Sequence, residues 1–475
     1  MLKPQNILYS IPFAVMILLV ILKSYSAPFT HDEAFSYLTF SSKSIKDILS
    51  FKVDTSANNH LFNTLFMKLI GSIGLQHPFY LRLLSTASIL LFVYSLIQIS
   101  KTESGNVSIL LACIVCSSPY LLDFFSMARG YAFSFSLMAF SIYLLLKRDG
   151  NNLKFWSMQV ATISMLSNFN LVYFWAALGL IHFIILIQET ENTKTFLKAC
   201  IINYLFPVLA FIYLYIVFSR LKEAQQLYFG GNTGIIENLV KDQLWCLIYD
   251  KNYEYNAVYL LIWQYLPVVM SLLAILFIAF KKIRSNQNYL DWIKVQSILF
   301  LAFALIELNH QVSGSLYPIK RTGLFMSILL GISLLLFFRF LVSYRIIKIP
   351  VLIIGIGLSG LLFYHTLSCY QAQRFREIPY DAHHEEILKT LENIKASTNA
   401  ELYLSANWQL GPSLNFYKKT RNLDWLPETK RDPVDLQANY LLVFEEDIQQ
   451  LDSAKMEILL RYDEDKLYLI KQSSK

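Results

Sequence analysis

The chain has 475 residues, 55% of them hydrophobic and only 16% charged, with apolar runs long enough to cross a bilayer repeatedly, which excludes an ordinary soluble protein. The formal charge of +7 is modest for this length, and the lysines and arginines lie in short loops between apolar runs, with no basic stripe of interleaved aromatics; this excludes nucleic acid and suits contact with membrane lipid. The five cysteines are odd in number, and the one close pair, Cys113 and Cys116, lies in an apolar helix with no second ligand pair, so it reads as packing thiols rather than a disulfide, redox or metal motif.

The first apolar run, 7–24, leads into Ser24-Tyr25-Ser26-Ala27-Pro28 and reads as a retained anchor rather than a cleaved signal peptide. Runs at 79–99, 106–123, 131–147, 153–168, 170–188, 198–219, 258–280, 292–309, 322–343 and 348–367 bring the expected number of transmembrane helices to about eleven. The segment 60–75 is also apolar, and the positive-inside rule decides its place. If it does not cross, Lys101, Lys147, Arg148, Lys154, Lys194, Lys198, Lys281, Lys282, Arg284, Arg345 and Lys348 all fall in the cytoplasm. It is therefore expected to lie on the outer surface, with the N-terminus inside and the tail outside.

Two outer segments, 25–76 and 220–256, then belong to a membrane module at 1–367. In the second, Ile235, Ile236, Leu239, Val240, Leu244, Leu247 and Ile248 recur on one face, which predicts an interfacial amphipathic helix; Gly230-Gly231-Asn232 before it is a lid hinge or a plain turn. From 368 to 475 the composition is that of a small α/β domain, with a helix at 383–396, strands at 401–405 and 439–444, and a hairpin at 456–471 turning at Asp463-Glu464-Asp465. His383-His384-Glu385-Glu386 reads as a solvated helix start rather than a metal cluster.

The residues fit for chemistry gather at the outer face. Thr30-His31-Asp32-Glu33 follows directly on the first span. Thr30 and Glu33 have capping-box spacing, which accounts for Glu33 and leaves the Asp32 carboxylate to act as a base; Glu33→Gln is then expected to be mild. Arg129, and later Lys320 and Arg321, sit at outer span ends, where cations are depleted. They either snorkel to lipid headgroups or hold an anionic ligand, for which the arginine fork matches a phosphate. Asp123 and Glu307, ionisable residues near outer span ends, are candidates to hold those arginines. Asn59 and His60 open the surface helix, Asn59 as an N-cap and His60 toward the same cleft. A second reading of His31, Asp32, Glu33 and His60 is a divalent-metal site.

So arranged, the chain resembles the GT-C membrane glycosyltransferases, in the bacterial branch similar to protein mannosyltransferases, aminoarabinose transferases and rhizobial galacturonosyltransferases. The resemblance rests on Asp32-Glu33, Asn58-Asn59-His60-Leu61, Arg82-Leu83-Leu84-Ser85, Ala128-Arg129-Gly130-Tyr131, and Tyr317-Pro318 with Arg321. One departure is Asn59-His60-Leu61 where members often carry His-Pro-Pro. The resemblance implies a polytopic helical membrane fold with outer juxtamembrane helices. It also implies inverting transfer of a sugar from a polyprenyl-phosphate donor to a lipid, glycan or protein acceptor at the extracytoplasmic face of a bacterial inner membrane. Asp32 is then the general base, with Glu33 beside it, and Asn59, His60, Arg129, Tyr131, Tyr317, Lys320 and Arg321 are the substrate-binding residues. The competing class is a transporter or lipid flippase, which tends to show internal repeats and broken helices at the bilayer midplane.

Overall fold

The computed structural model describes residues 4–101, 106–147, 151–190, 192–249, 256–280, 283, 285–397, 402–430, 432–448 and 456–472. Arg148, Lys281, Lys282, Arg284 and Glu401, which carry part of the topology and strand expectations, lie outside the described residues.

Each of the eleven apolar runs falls on helix. Among the described residues seven helices are long and apolar enough to cross a membrane: Tyr9–Ser26, Leu83–Ser100, Phe169–Glu189, Thr193–Glu223, Gln287–Ser313, Lys320–Val342 and Lys348–Cys369. The chain is an integral membrane protein. Shorter apolar helices, Gly130–Leu146 and Gln264–Ile278, fill two more of the expected runs. The run at 106–123 is not one straight span. It is a pair, Ser108–Cys116 and Pro119–Phe125, bent by 77°, which brings the number of spans to eight if the pair counts as one. The bend has a local cause. Pro119 lacks an amide hydrogen and pushes Ser118 into an extended backbone (φ −128, ψ 115), so the helix stops and restarts with Pro119 in its first turn. The segment 60–75 contains the helix Leu61–Ser72, whose 12 residues rise about 18 Å, too short for the hydrocarbon core.

Two compact units divide the chain: Met1–Val20, Leu49–Asn63 and Leu84–Tyr370 form one, and Ile21–Ile48, Thr64–Leu83 and Gln371–Lys475 the other. In the first, the expected amphipathic helix is a π-helical turn, Ile236–Lys241, running into an α-helix, Asp242–Ile248, with Leu239, Val240, Leu244 and Ile248 buried. The glycines before it allow a close approach. Gly231 pairs with Tyr317 in an isolated antiparallel bridge, and a Cβ on Gly230 would meet Leu316 Cβ at 2.5 Å.

The second unit holds a four-stranded sheet in the order β1-β2-β4-β3, with β1 Leu404–Ala406, β2 Tyr440–Phe444, β3 Met456–Tyr462 and β4 Leu467–Gln472. β1 runs parallel to β2, and the other pairs are antiparallel. Ala438, Leu441, Val443, Tyr468 and Ile470 form an apolar cluster on this sheet. The helix Gly411–Arg421, absent from the expected elements, packs on the helix His31–Phe40. Phe416 meets Phe29 at 4.3 Å and Tyr37 at 5.7 Å between ring centroids. The peptide that follows the first span is thus part of this unit's core.

The loop charges predict which faces of the membrane these parts occupy. A cysteine at exposed Lys419 should react with an impermeant thiol reagent in intact cells, and one at exposed Lys101 should not. The reverse pattern would invert the orientation and remove the outer-face assignment of Asp32.

Candidate active site

The loop 27–33 is built around a buried ion pair. Pro28 ends the first helix, and the carbonyls left over at that end are taken by Arg82: its Nη1 donates to Ser24 O (3.0 Å) and Ala27 O (2.7 Å), and its Nη2 to Pro28 O (2.7 Å). The remaining donors of the fork go to Glu33, Nε to Oε1 at 2.8 Å and Nη2 to Oε2 at 2.7 Å, with both side chains fully buried. Glu33 Oε2 also accepts from the Thr30 amide and hydroxyl, both at 2.9 Å. The reciprocal half of the capping box is present as the spacing predicts, but Glu33 is more than a cap, because it is the counter-ion of a guanidinium that reaches no water.

On the other side of the same turn the His31 amide donates to Asp381 Oδ2 at 2.5 Å, and His31 Nδ1 donates to the Gln409 carbonyl at 2.6 Å. The Phe29 amide donates to the Tyr417 hydroxyl at 2.7 Å. Asp32 is half-buried between these two anchored neighbours, in the first turn of His31–Phe40, where the helix dipole favours a carboxylate. The His383–Glu386 stretch is not a solvated helix start throughout. His384 is fully buried, with Nδ1 donating to the Asp381 carbonyl at 3.0 Å, and His383 Nε2 bonds Asp465 at 2.7 Å.

In the first unit, Arg129 and its neighbours converge on the turn before Gly130–Leu146. Arg129 is buried, its Nη2 donates to Asn58 Oδ1 at 3.2 Å, and its guanidinium carbon lies 5.9 Å from the centre of the Tyr131 ring. The His60 and Tyr131 rings are 5.0 Å apart. A Cβ on Gly130 would meet Ser167 O at 2.5 Å and His60 at 2.9 Å, so only glycine lets these segments close. Asn63 Nδ2 donates to Ala128 O at 2.6 Å, and Ser85 Oγ donates to Arg129 O at 3.0 Å. The expected capping role of Asn59 does not hold. Asn59 is buried, but the helix opens at Leu61, one residue too late for it.

Tyr317, Lys320 and Arg321 form a second group at the start of Lys320–Val342. Lys320 adopts a left-handed backbone (φ 43) and is held there from Asp242–Ile248: its amide donates to Asp242 Oδ2, and its carbonyl accepts from Gln243 Nε2 at 2.8 Å. The Arg321 guanidinium stacks 4.4 Å over the Phe229 ring. The acidic residues expected to hold arginines each accept a hydrogen bond from a tyrosine. Tyr317 hydroxyl donates to Glu307 at 2.9 Å, and Tyr249 hydroxyl donates to Asp123 at 2.6 Å. Tyr249, itself left-handed (φ 58), ends the helix whose start holds Lys320, so Asp242–Ile248 ties the Lys320 turn to the segment leading into Arg129. Sequence reasoning missed Asp242, Gln243, Tyr249, Asp381, Gln409 and Tyr417; their one local signal was Gly411-Pro412, proline in a helix first turn.

The donor set at 31–33 does not fit a metal ion. Both Glu33 oxygens are engaged by Arg82 and Thr30, and His31 Nδ1 by Gln409. Among the described residues no group of three or more His, Cys, Asp and Glu side chains is placed to hold one.

No protein-family model and no curated protein matches the chain. Among solved structures, the chain is similar to ArnT from Cupriavidus metallidurans in the apo state, at 11% identity and a TM-score of 0.42 over 96% of each chain. It is likewise similar to ArnT from that organism bound to undecaprenyl phosphate, at 10% identity and a TM-score of 0.45 over 97% of each chain.

Proposed function

We propose that the chain is an inverting GT-C-type glycosyltransferase of a bacterial inner membrane. It takes a sugar from a polyprenyl-phosphate donor at the extracytoplasmic face and passes it to a lipid, glycan or protein acceptor. Residues 1–367 carry the membrane part, and 368–475 form an outer domain that shares a compact unit with the Asp32 loop. The observation that carries this reading is the placement of the outer cations. Arg129 stands at the N-cap of Gly130–Leu146, and Lys320 and Arg321 stand in the first turn of Lys320–Val342. A helix N-terminus is positive, so a cation there adds to a field that suits an anion, and amides and guanidinium can act on one together. A lipid-anchored phosphate is an anion held at that depth.

The acceptor hydroxyl attacks the anomeric carbon as the bond from that carbon to the phosphate oxygen breaks. Asp32 takes the acceptor proton, and the electron pair leaves on the phosphate, whose charge Arg129, Lys320 and Arg321 meet. Attack opposite the leaving group inverts the anomeric centre. Tyr131, Tyr317, His60 and Asn59 are assigned to substrate binding alongside these cations.

Arg129→Ala and Arg321→Ala should each lower kcat/KM for the lipid donor roughly ten- to a hundredfold, the value of a charge-assisted phosphate contact of about 1.5–3 kcal/mol. Unchanged turnover of both at limiting donor would assign the cations to lipid headgroups instead. Mass spectrometry of the purified protein should find a polyprenyl phosphate or its sugar derivative; undecaprenyl phosphate, the lipid in one of the similar structures, is the standard. Failure of added undecaprenyl phosphate to bind would contradict the donor assignment.

A further inference from the structure

We propose that Asp381 is a positioning residue for the transfer step, by which the C-terminal domain holds the His31 amide and so sets where the Asp32 carboxylate stands. The inference rests on the reading of Asp32 as the base. Asp381 comes from the turn Pro379–His383, 350 residues along the chain from His31, and is 1% exposed. Its Oδ2 accepts the His31 amide at 2.5 Å, while Oδ1 lies 3.3 Å from the Ser413 hydroxyl, which donates to it, and 3.4 Å from His384 Nδ1. His31 is the first residue of the helix, and its amide is one of those a helix leaves without an internal acceptor. A cap side chain serves the amides of the second and third helical residues, and Thr30 is engaged with Glu33. The amide of the first helical residue, His31, is taken by the distant carboxyl of Asp381 instead.

The turn is consequently gripped at both flanks of Asp32. Arg82 holds Glu33 on one side, and Asp381 with Gln409 holds His31 on the other. Moving a catalytic group by about 1 Å costs up to a hundredfold in rate, so a residue that fixes the backbone on one side of the base acts on kcat without touching substrate. Burial pushes the Asp381 carboxyl well above the usual carboxylate range; the His31 amide and Ser413 hydroxyl draw it back, and the charges of Glu33 and Asp32 add to the rise. Asparagine keeps the length of the side chain and a carbonyl that still accepts from the His31 amide.

The test compares Asp381→Ala, Asp381→Asn and Asp381→Glu in the full-length protein, in detergent or nanodiscs. Turnover is followed with an undecaprenyl-phosphate-linked sugar, and amide exchange at 30–33 is followed in parallel. Asp381→Ala should lower kcat at least tenfold with KM for the lipid donor unchanged, and should speed exchange at His31. Asp381→Asn should stay within about threefold of the parent in kcat and keep His31 protected. If the alanine variant does not fold, the other two decide, because the extra methylene of glutamate displaces the His31 amide and should lower kcat where asparagine does not. A folded Asp381→Ala with parental kcat, parental exchange at His31, or equal kcat in the glutamate and asparagine variants would each overturn the proposal. Exchange needs no turnover, so loss of the grip is seen even where the reaction is misassigned; a fully active Asp32→Asn would instead remove the base assignment.

Discussion

Asp32→Asn should lower turnover on the order of a hundredfold or more while leaving affinity for the lipid donor near normal. Asparagine keeps the shape of the side chain and its hydrogen-bonding reach but cannot take a proton at neutral pH. The backbone on either side is held by buried partners that the substitution does not touch, Glu33 by Arg82 and His31 by Asp381. The local structure should therefore survive and the loss should fall on kcat alone. Separate measurement of donor binding and of single-turnover transfer checks this, and parental transfer by the variant would refute the base assignment.

Glu33→Gln, expected from the capping box alone to be mild, should instead destabilise the protein by about 3–5 kcal/mol. The amide retains a group able to serve Thr30, but it leaves the fully buried Arg82 guanidinium without its counter-ion. Arg82→Met would not restore stability, because the carbonyls of Ser24, Ala27 and Pro28 would then lose their donor. Arg82→Lys is no rescue either: three donors on a flexible stem cannot reproduce the five-donor fork. Thermal unfolding in detergent, read beside donor binding, separates this effect from a catalytic one. A Glu33→Gln variant as stable as the parent, with turnover lost, would make Glu33 a chemical participant rather than a structural one.

These two residues show where the sequence was legible and where it stopped. The Thr30–Glu33 spacing is a local signal and predicted half of the capping box as it stands. The partner that changes the meaning of Glu33 lies 49 residues away, and a contact across that distance leaves no periodic trace. Asp381 is more remote still. Among the described residues the apolar runs located every helix long and apolar enough to span, because a bilayer demands length and apolarity together, yet Ser118-Pro119 turned one expected span into a bent pair through a backbone constraint that hydropathy does not register. Under the topology that the loop charges predict, Arg129, Lys320 and Arg321 stand out as cations on a depleted side. Their position on helix first turns, and the hold that Asp242–Ile248 keeps on Lys320, followed only from the fold. The acidic residues near the outer ends invited pairing with arginine by charge alone, and the structure gave Tyr317 to Glu307.

The most direct measurement is transfer itself: the purified full-length protein, with a panel of polyprenyl-phosphate sugars and candidate lipid, glycan and protein acceptors, the anomeric configuration of the product being read by NMR and Asp32→Asn run beside the parent. The account predicts that one donor is consumed, that its sugar appears on an acceptor with inverted configuration, and that Asp32→Asn abolishes most of this. A product of retained configuration, or undiminished transfer by Asp32→Asn, would contradict it.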